Sequence, residues 1–160
     1  MTTPGIRFGS DLQAWRSEDE PLLTGRARFT DDVGIRDAAH AAFVRSPHGH
    51  ARIVRIDAAA AAALPGVLSV ITGADTVAAG LGPIRPEVVL PGKDGRPMFG
   101  PAMPVLAADR ARYVGEPVAM VVAETAAQAQ DAADLVDVAY EALPAAATVE
   151  RATAPGACAL

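Results

Sequence analysis

The sequence predicts a mixed α and β domain, and three observations carry that expectation. Valine outnumbers leucine, 16 to 11, which favours sheet over helix. Two short apolar runs, VLSVIT at 67–72 and VAMVVA at 118–123, have the length and composition of buried strands. Alanine-rich stretches beside those runs carry helix caps and helix stops. At 160 residues the chain has the size of one domain. The apolar fraction of 51% overstates the core, because 36 of those residues are alanines that bury little area.

Residues 1–37 sustain no period of either kind. Phe8, Leu12 and Trp15 could share an apolar face, but EDEP at 18–21 is expected to end any helix they begin. LLTGRARFTDD and VGIRD then read as an extended N-terminal arm with turns at Gly25 and Gly34. The domain proper follows at 38–150. AHAAFVR at 39–45 and ARIVRID at 51–57 read as two strands, with RSPHG between them as a hairpin turn. Asp57 is placed to cap an alanine helix that Pro65–Gly66 must stop. VLSVIT comes next, so 51–72 predict a strand–helix–strand unit with a short crossover. Thr72 or Asp75 opens one further helical turn.

Residues 80–104 hold six prolines and five glycines, which leaves room for no regular element beyond a short edge segment at Glu87–Leu90. Such a loop is either a surface excursion or a docking and binding element. The last third is the most regular. ARYVGEP leads into a strand apolar on both faces. Thr125 and Gln128 form a capping box, and Ala129, Ala132, Ala133 and Val136 fall on one helical stripe. VDVAYEALP at 136–144 is a strand that Pro144 ends, and 151–160 reads as a C-terminal tail or linker.

Charge and composition exclude several function classes. The net charge is −5 with no block of like charge, so nucleic acid is not an expected partner. Thirteen of the fourteen cations are arginine, with Lys93 alone. Cys158 is the only cysteine, which rules out an internal disulfide and a thiolate cluster for zinc or iron–sulfur. The start, MTTPGIRFGSDLQ, lacks a signal-peptide core, and the runs Ala58–Pro65 and Val118–Ala123 are too short to span a bilayer. The expectation is a cytoplasmic chain with no membrane partner.

The candidate chemistry is sparse. His40, His48 and His50 fall within eleven residues, and Asp31, Asp32, Asp37 and Asp57 are the carboxylates on offer as further metal ligands. Three scattered imidazoles rarely converge, so the histidines read as turn residues rather than a metal site. Ser46 lacks a Gly-x-Ser-x-Gly elbow, and GLGPIRPE has prolines where a dinucleotide-binding helix must begin. Glu116 stands beside a buried strand, where burial can tune a carboxylate's proton affinity. No partner acid, base or metal ligand is identifiable for it, so it reads with Gly115 and Pro117 as a turn. No assembled chemistry emerges, and a structural or assembly module is the natural reading.

SPHGHARIVRID, LPGVLSVITGADT and ARYVGEPVAMVVAETAAQAQDAADLVDVAYEALPA, taken in that order, resemble the α/β hammerhead domain of the xanthine dehydrogenase and aldehyde oxidase family. EDEPLLTGRARFTDD is similar to the segment preceding that domain in molybdenum-binding large subunits of the carbon monoxide dehydrogenase type. The resemblance covers roughly residues 7–150. It implies an α+β fold of small mixed sheets with packed helices, set before a larger molybdopterin-binding region. That region supplies the molybdenum centre and a glutamate base, while iron–sulfur and FAD lie on other domains or subunits. The implied chemistry of the whole is hydroxylation of an aldehyde or N-heterocycle with water as the oxygen source. None of the catalytic or cofactor-binding positions carries over to this sequence, which stops at Leu160, close to the hammerhead's expected end. A fragment, or a split piece that assembles with another chain and is inactive alone, is therefore expected. Only turn positions carry over: Pro47, Gly49, Pro65, Gly66, Gly115 and Pro117. The alternative is a free-standing binding module that uses loop 80–104 for a small molecule or protein.

Overall fold

The computed structural model describes residues 16–157 except Pro86, Val89, Lys93, Phe99 and Ala102. The apolar face expected at Phe8, Leu12 and Trp15, and Cys158, lie outside the described residues. The chain divides into two compact units, residues 1–37 and 38–160.

In the first unit a short helix, α1, runs Asp19–Leu23, across the EDEP that was expected to end one. Pro21 sits third in α1, in the first turn, where its missing N–H has no helical partner to lose. The Pro21 carbonyl accepts the N–H groups of Arg26 at 2.8 Å and Ala27 at 2.9 Å, turning the chain away from the helix. Residues Thr30–Asp32 form a single 3₁₀ turn.

The second unit holds two antiparallel three-stranded sheets. The first, in the order β1-β5-β3, is built from β1 (His40–Arg45), β3 (Val67–Thr72) and β5 (Pro117–Ala123). The second, in the order β4-β2-β6, contains β2 (Ala51–Asp57), β4 (Arg110–Ala111) and β6 (Asp137–Ala142). The five principal strands read from the sequence form, and β4 is added by tertiary contact. Two expectations about pairing fail. β1 and β2 are not a hairpin, because β1 joins β5 and β2 joins β6. The unit at 51–72 is not a local crossover either, since β2 and β3 belong to different sheets. Each helix-bearing connection carries the chain from one sheet to the other, so the two sheets share a core.

That core is small and explains the alanines. Val121, Ala61, Ala132, Ala133 and Val136 are buried together, with Val44, Val70, Ile56 and Val138 packed around them. Helix α4 (Ala126–Asp134) buries Ala129, Ala132 and Ala133, so small side chains let its axis lie close to the first sheet. Thr125 caps α4 by accepting the Gln128 N–H at 3.2 Å. The Gln128 side-chain oxygen accepts a hydrogen bond from the Thr125 hydroxyl at 2.8 Å instead of completing the expected box.

Two backbone details fix the strands. The register of β2 shifts between Ile53 and Arg55, so Val54 is an extra residue and Ile53 and Ile56 share a side although three apart. Helix α2 (Ala59–Ala62) begins where Asp57 accepts the Ala59 N–H at 3.1 Å, and Gly66 then turns the chain with φ at +82°. Helix α3 (Gly73–Ala78) opens on Thr72 with Asp75 completing a capping box.

Loop 80–104 doubles back on itself. Ile84 and Met103 pair antiparallel near its base, and Pro91 and Pro97 near its tip. The edge segment expected at Glu87–Leu90 is not a strand among the described residues. A final short helix, α5, spans Val149–Thr153 and so occupies part of what was read as tail.

Candidate functional site

Of the residues singled out by the sequence, Ser46, Gly115 and Glu116 meet where the chain passes between the two sheets. Ser46, 2% exposed, leaves β1 with its N–H donated to the Glu116 carbonyl at 2.9 Å, and its own carbonyl accepts the Gly115 N–H at 2.8 Å. Its hydroxyl accepts the His48 N–H at 3.1 Å, which folds SPHG into a tight turn. Arg45 adds a guanidinium bond to the Gly115 carbonyl at 2.9 Å. Gly115 makes this latch possible with φ at +89°, a conformation strained for residues with a Cβ.

Glu116 is 3% exposed, and its environment answers its charge. One carboxylate oxygen accepts the backbone N–H of Arg112 in a short contact, and the Arg112 guanidinium lies 3.9 Å from the other. That guanidinium also donates to the Arg110 carbonyl at 2.9 Å. Glu116 therefore closes the Arg112–Glu116 loop. The spacing of four is not a helical one, because 112–116 is a turn, so no local rule pointed to that partner.

The imidazoles go to separate tasks. His40 opens β1 at an exposed position opposite Ala123. His48 stacks at 57° against Tyr140 of β6, ring centroids 5.0 Å apart. His50 is buried, with Nδ1 2.7 Å from the Pro144 carbonyl, and its own carbonyl accepts the Leu143 N–H at 2.9 Å. Tyr140 had no local signal in the sequence, because its contact with His48 spans the two ends of the domain. Burial pushes its phenol up from the ordinary tyrosine value, opposed by the nearby Ser46 side chain.

The carboxylates are likewise dispersed. Asp57 is held below the ordinary aspartate value by the Ala59 N–H, with Arg55 adding to the effect. Arg55 also pairs with Asp137 at 2.6 Å. Asp32 accepts the Phe29 N–H at 2.8 Å, and Asp37 takes φ of 58°. Among the described residues no group of three or more His, Cys, Asp or Glu side chains converges.

The turn residues occupy varied settings. Pro47 is exposed, while a Cβ on Gly49 would meet Ala145 at an ordinary 3.7 Å. Pro65 is exposed, and Gly66 faces the Gln128 amide, which a Cβ would overlap. Pro117 opens β5, and its carbonyl accepts the Ala107 N–H at 2.9 Å. A cleft of about 220 Å³ lies between β2 and α3, and another of about 260 Å³ at the base of loop 80–104; neither is lined by a histidine, serine or glutamate. Among the described residues no helix is long and apolar enough to cross a membrane.

The profile described as "Aldehyde oxidase and xanthine dehydrogenase, a/b hammerhead domain" matches residues 24–144. The chain is 45% identical over 128 residues to the nicotine 6-hydroxylase large subunit of Paenarthrobacter nicotinovorans, a match covering 80% of this chain and 15% of that one. Among solved structures it is similar to quinoline 2-oxidoreductase from Pseudomonas putida 86, at 45% identity and a TM-score of 0.76, covering 86% of this chain and 17% of that one. It is also similar to a Cu,Mo-CO dehydrogenase, at 37% identity and a TM-score of 0.73, covering 90% and 17%. The chain thus spans under a fifth of the length of these relatives. A profile covering most of the chain, a two-sheet α+β structure and relatives of this similarity have one consequence: the chain belongs to the aldehyde oxidase and xanthine dehydrogenase family as its a/b hammerhead domain.

Proposed function

We propose that this chain is a structural and assembly domain of a molybdenum hydroxylase large subunit, packing against the molybdopterin-binding remainder and inactive alone. One observation carries the reading: 80–90% of the chain matches a part that makes up only 15–17% of its relatives. The placement of His48, His50 and Asp57 supports it, because they serve a turn, a buried contact with the Pro144 carbonyl and a helix cap. On this reading no residue here is catalytic, and Pro47, Gly49, Pro65, Gly66, Gly115 and Pro117 hold turns. The molybdenum cofactor belongs to the remainder of the subunit, and iron–sulfur and FAD to other domains or subunits. The assembly is cytoplasmic and takes no nucleic acid. Residues 1–37 act as an arm, 38–150 as the domain, and 151–160 as a connecting tail.

The physical role is that of a brace. The shared alanine core joins the two sheets, and the Ser46–Gly115–Glu116 latch extends the β1–β5 pairing at the point where the chain leaves the first sheet. The test is to purify the chain alone, and again after co-expression with the rest of its large subunit. Aldehyde and N-heterocycle oxidation with an artificial electron acceptor, together with metal analysis, are read on both samples. Activity and molybdenum only in the co-expressed sample support the proposal. Stoichiometric molybdenum or turnover in the chain alone overturns it.

A further inference from the structure

We propose that the base of loop 80–104 is a docking surface for another segment of the same large subunit, one presenting a large apolar side chain beside a lysine or arginine. Scattered exposed apolar residues need no explanation, but contiguous ones around a cleft do. Five large apolar side chains crowd this base: Val77 (66% exposed), Leu81 (55%), Ile84 (66%), Met103 (52%) and Val105 (44%). Their contiguity is structural. Ile84 and Met103 exchange backbone hydrogen bonds of 2.8 and 3.0 Å, which brings the two arms of the loop together. Val77, Leu81 and Val105 line a cleft of about 260 Å³ whose stiff walls, Pro83 and Pro104, are the chain neighbours of Ile84 and Met103. That is room for one aliphatic or aromatic side chain in a preformed socket, the arrangement typical of an interface hot spot.

The rim gives the partner its charge. Asp109, its side chain 78% exposed, and Arg112 both border the cleft; their ion pair is loose, at 3.8 Å, and with Glu116 behind Arg112 the group carries one net negative charge. Arg112 is shared with Glu116 and the Arg110 carbonyl, so Asp109 is left to attract a cation from outside. The choice of occupant rests on the reading of this chain as part of a larger subunit. In the relatives this domain makes up 15–17% of the matched chain, so most of the polypeptide that could cover the face is its own. A covalently attached segment competes at an effective concentration of roughly millimolar, which a second copy of the domain rarely reaches.

The test is co-purification of the remainder of the large subunit with this chain, tagged, after co-expression. Leu81→Asp and Ile84→Asp alter side chains already more than half exposed, so the isolated variants are expected to melt with the wild type. Leu68→Asp, at a 59% exposed position on β3, is the control. The expected result is that wild type and Leu68→Asp retain the remainder, that Leu81→Asp and Ile84→Asp lose it by at least about tenfold, and that Asp109→Lys also weakens it. Retention of the remainder by Leu81→Asp and Ile84→Asp at the wild-type level overturns this surface while leaving the assembly role standing. Failure of the wild type to retain it overturns both. A concentration-dependent dimer of the isolated chain that Ile84→Asp abolishes assigns the face to a second copy and overturns the proposal.

Discussion

The buried carboxylate of Glu116 accepts the backbone N–H of Arg112, and the Arg112 guanidinium stands 3.9 Å from its second oxygen. A buried charge is tolerated when hydrogen bonds and a counter-charge answer it, and here one residue supplies both. Glu116→Ala leaves the Arg112 N–H unpaired and is expected to cost about 1–3 kcal/mol. Glu116→Gln keeps a carbonyl acceptor and is expected to lose less. Urea unfolding of the two variants measures the difference, and equal losses would mean that the hydrogen bond contributes nothing.

Gly66 meets two constraints that can be separated. Its φ of +82° disfavours any Cβ, and a Cβ would also overlap the side-chain amide of Gln128. Gly66→Ala should therefore be destabilising mainly through the backbone, with a smaller part from displacing the Gln128 amide. Adding Gln128→Ala removes the contact and leaves a residual cost of about 1–2 kcal/mol from the left-handed backbone. A double-mutant cycle in denaturant reads the coupling directly.

Asp75 makes the stability depend on acid. The Thr72 hydroxyl and then the Thr72 N–H hold its carboxyl below the ordinary aspartate value. The unfolded chain therefore binds this proton more readily than the folded one, and stability rises with pH between the two values. The contribution is complete above the ordinary aspartate value and disappears as pH falls through the lowered one. Asp75→Asn should flatten that acid limb in melting curves taken across the range, with the cap still able to accept through its amide oxygen.

Tyr140 acts at the other end of the scale with the opposite sign. Burial raises its phenol, so the folded state holds the proton longer than the unfolded one. Its contribution is present below the ordinary tyrosine value and is lost as pH rises through the raised one. Tyr140→Phe preserves the ring against His48 and should remove this part of the alkaline loss. An absorbance titration of phenolate should show one late-titrating tyrosine in the wild type that is absent in the variant.

The legibility of the site followed local rules rather than nearness along the chain. Arg112 lies only four residues from Glu116 but is brought to it by a turn rather than by helical spacing, whereas Tyr140 lies far along the chain from His48 and left no local trace. The histidine cluster looked compact in sequence because Pro47 and Gly49 only bend the chain. In space His48 turns to Tyr140 and His50 to Pro144.

By itself the sequence determined the elements whose causes are local. The alanine stripe of α4, its Thr125 cap, the Thr72–Asp75 opening of α3 and the apolar runs of β3 and β5 all depend on neighbours within four residues. Only the tertiary structure decided which strands pair. β1 and β2 are five residues apart yet enter different sheets, and the two residues of β4 are a strand only because β2 offers them an edge. Pairing runs through backbone N–H and carbonyl groups that every residue shares, so the choice falls to whichever arrangement buries the apolar faces around Val121 and the α4 alanines.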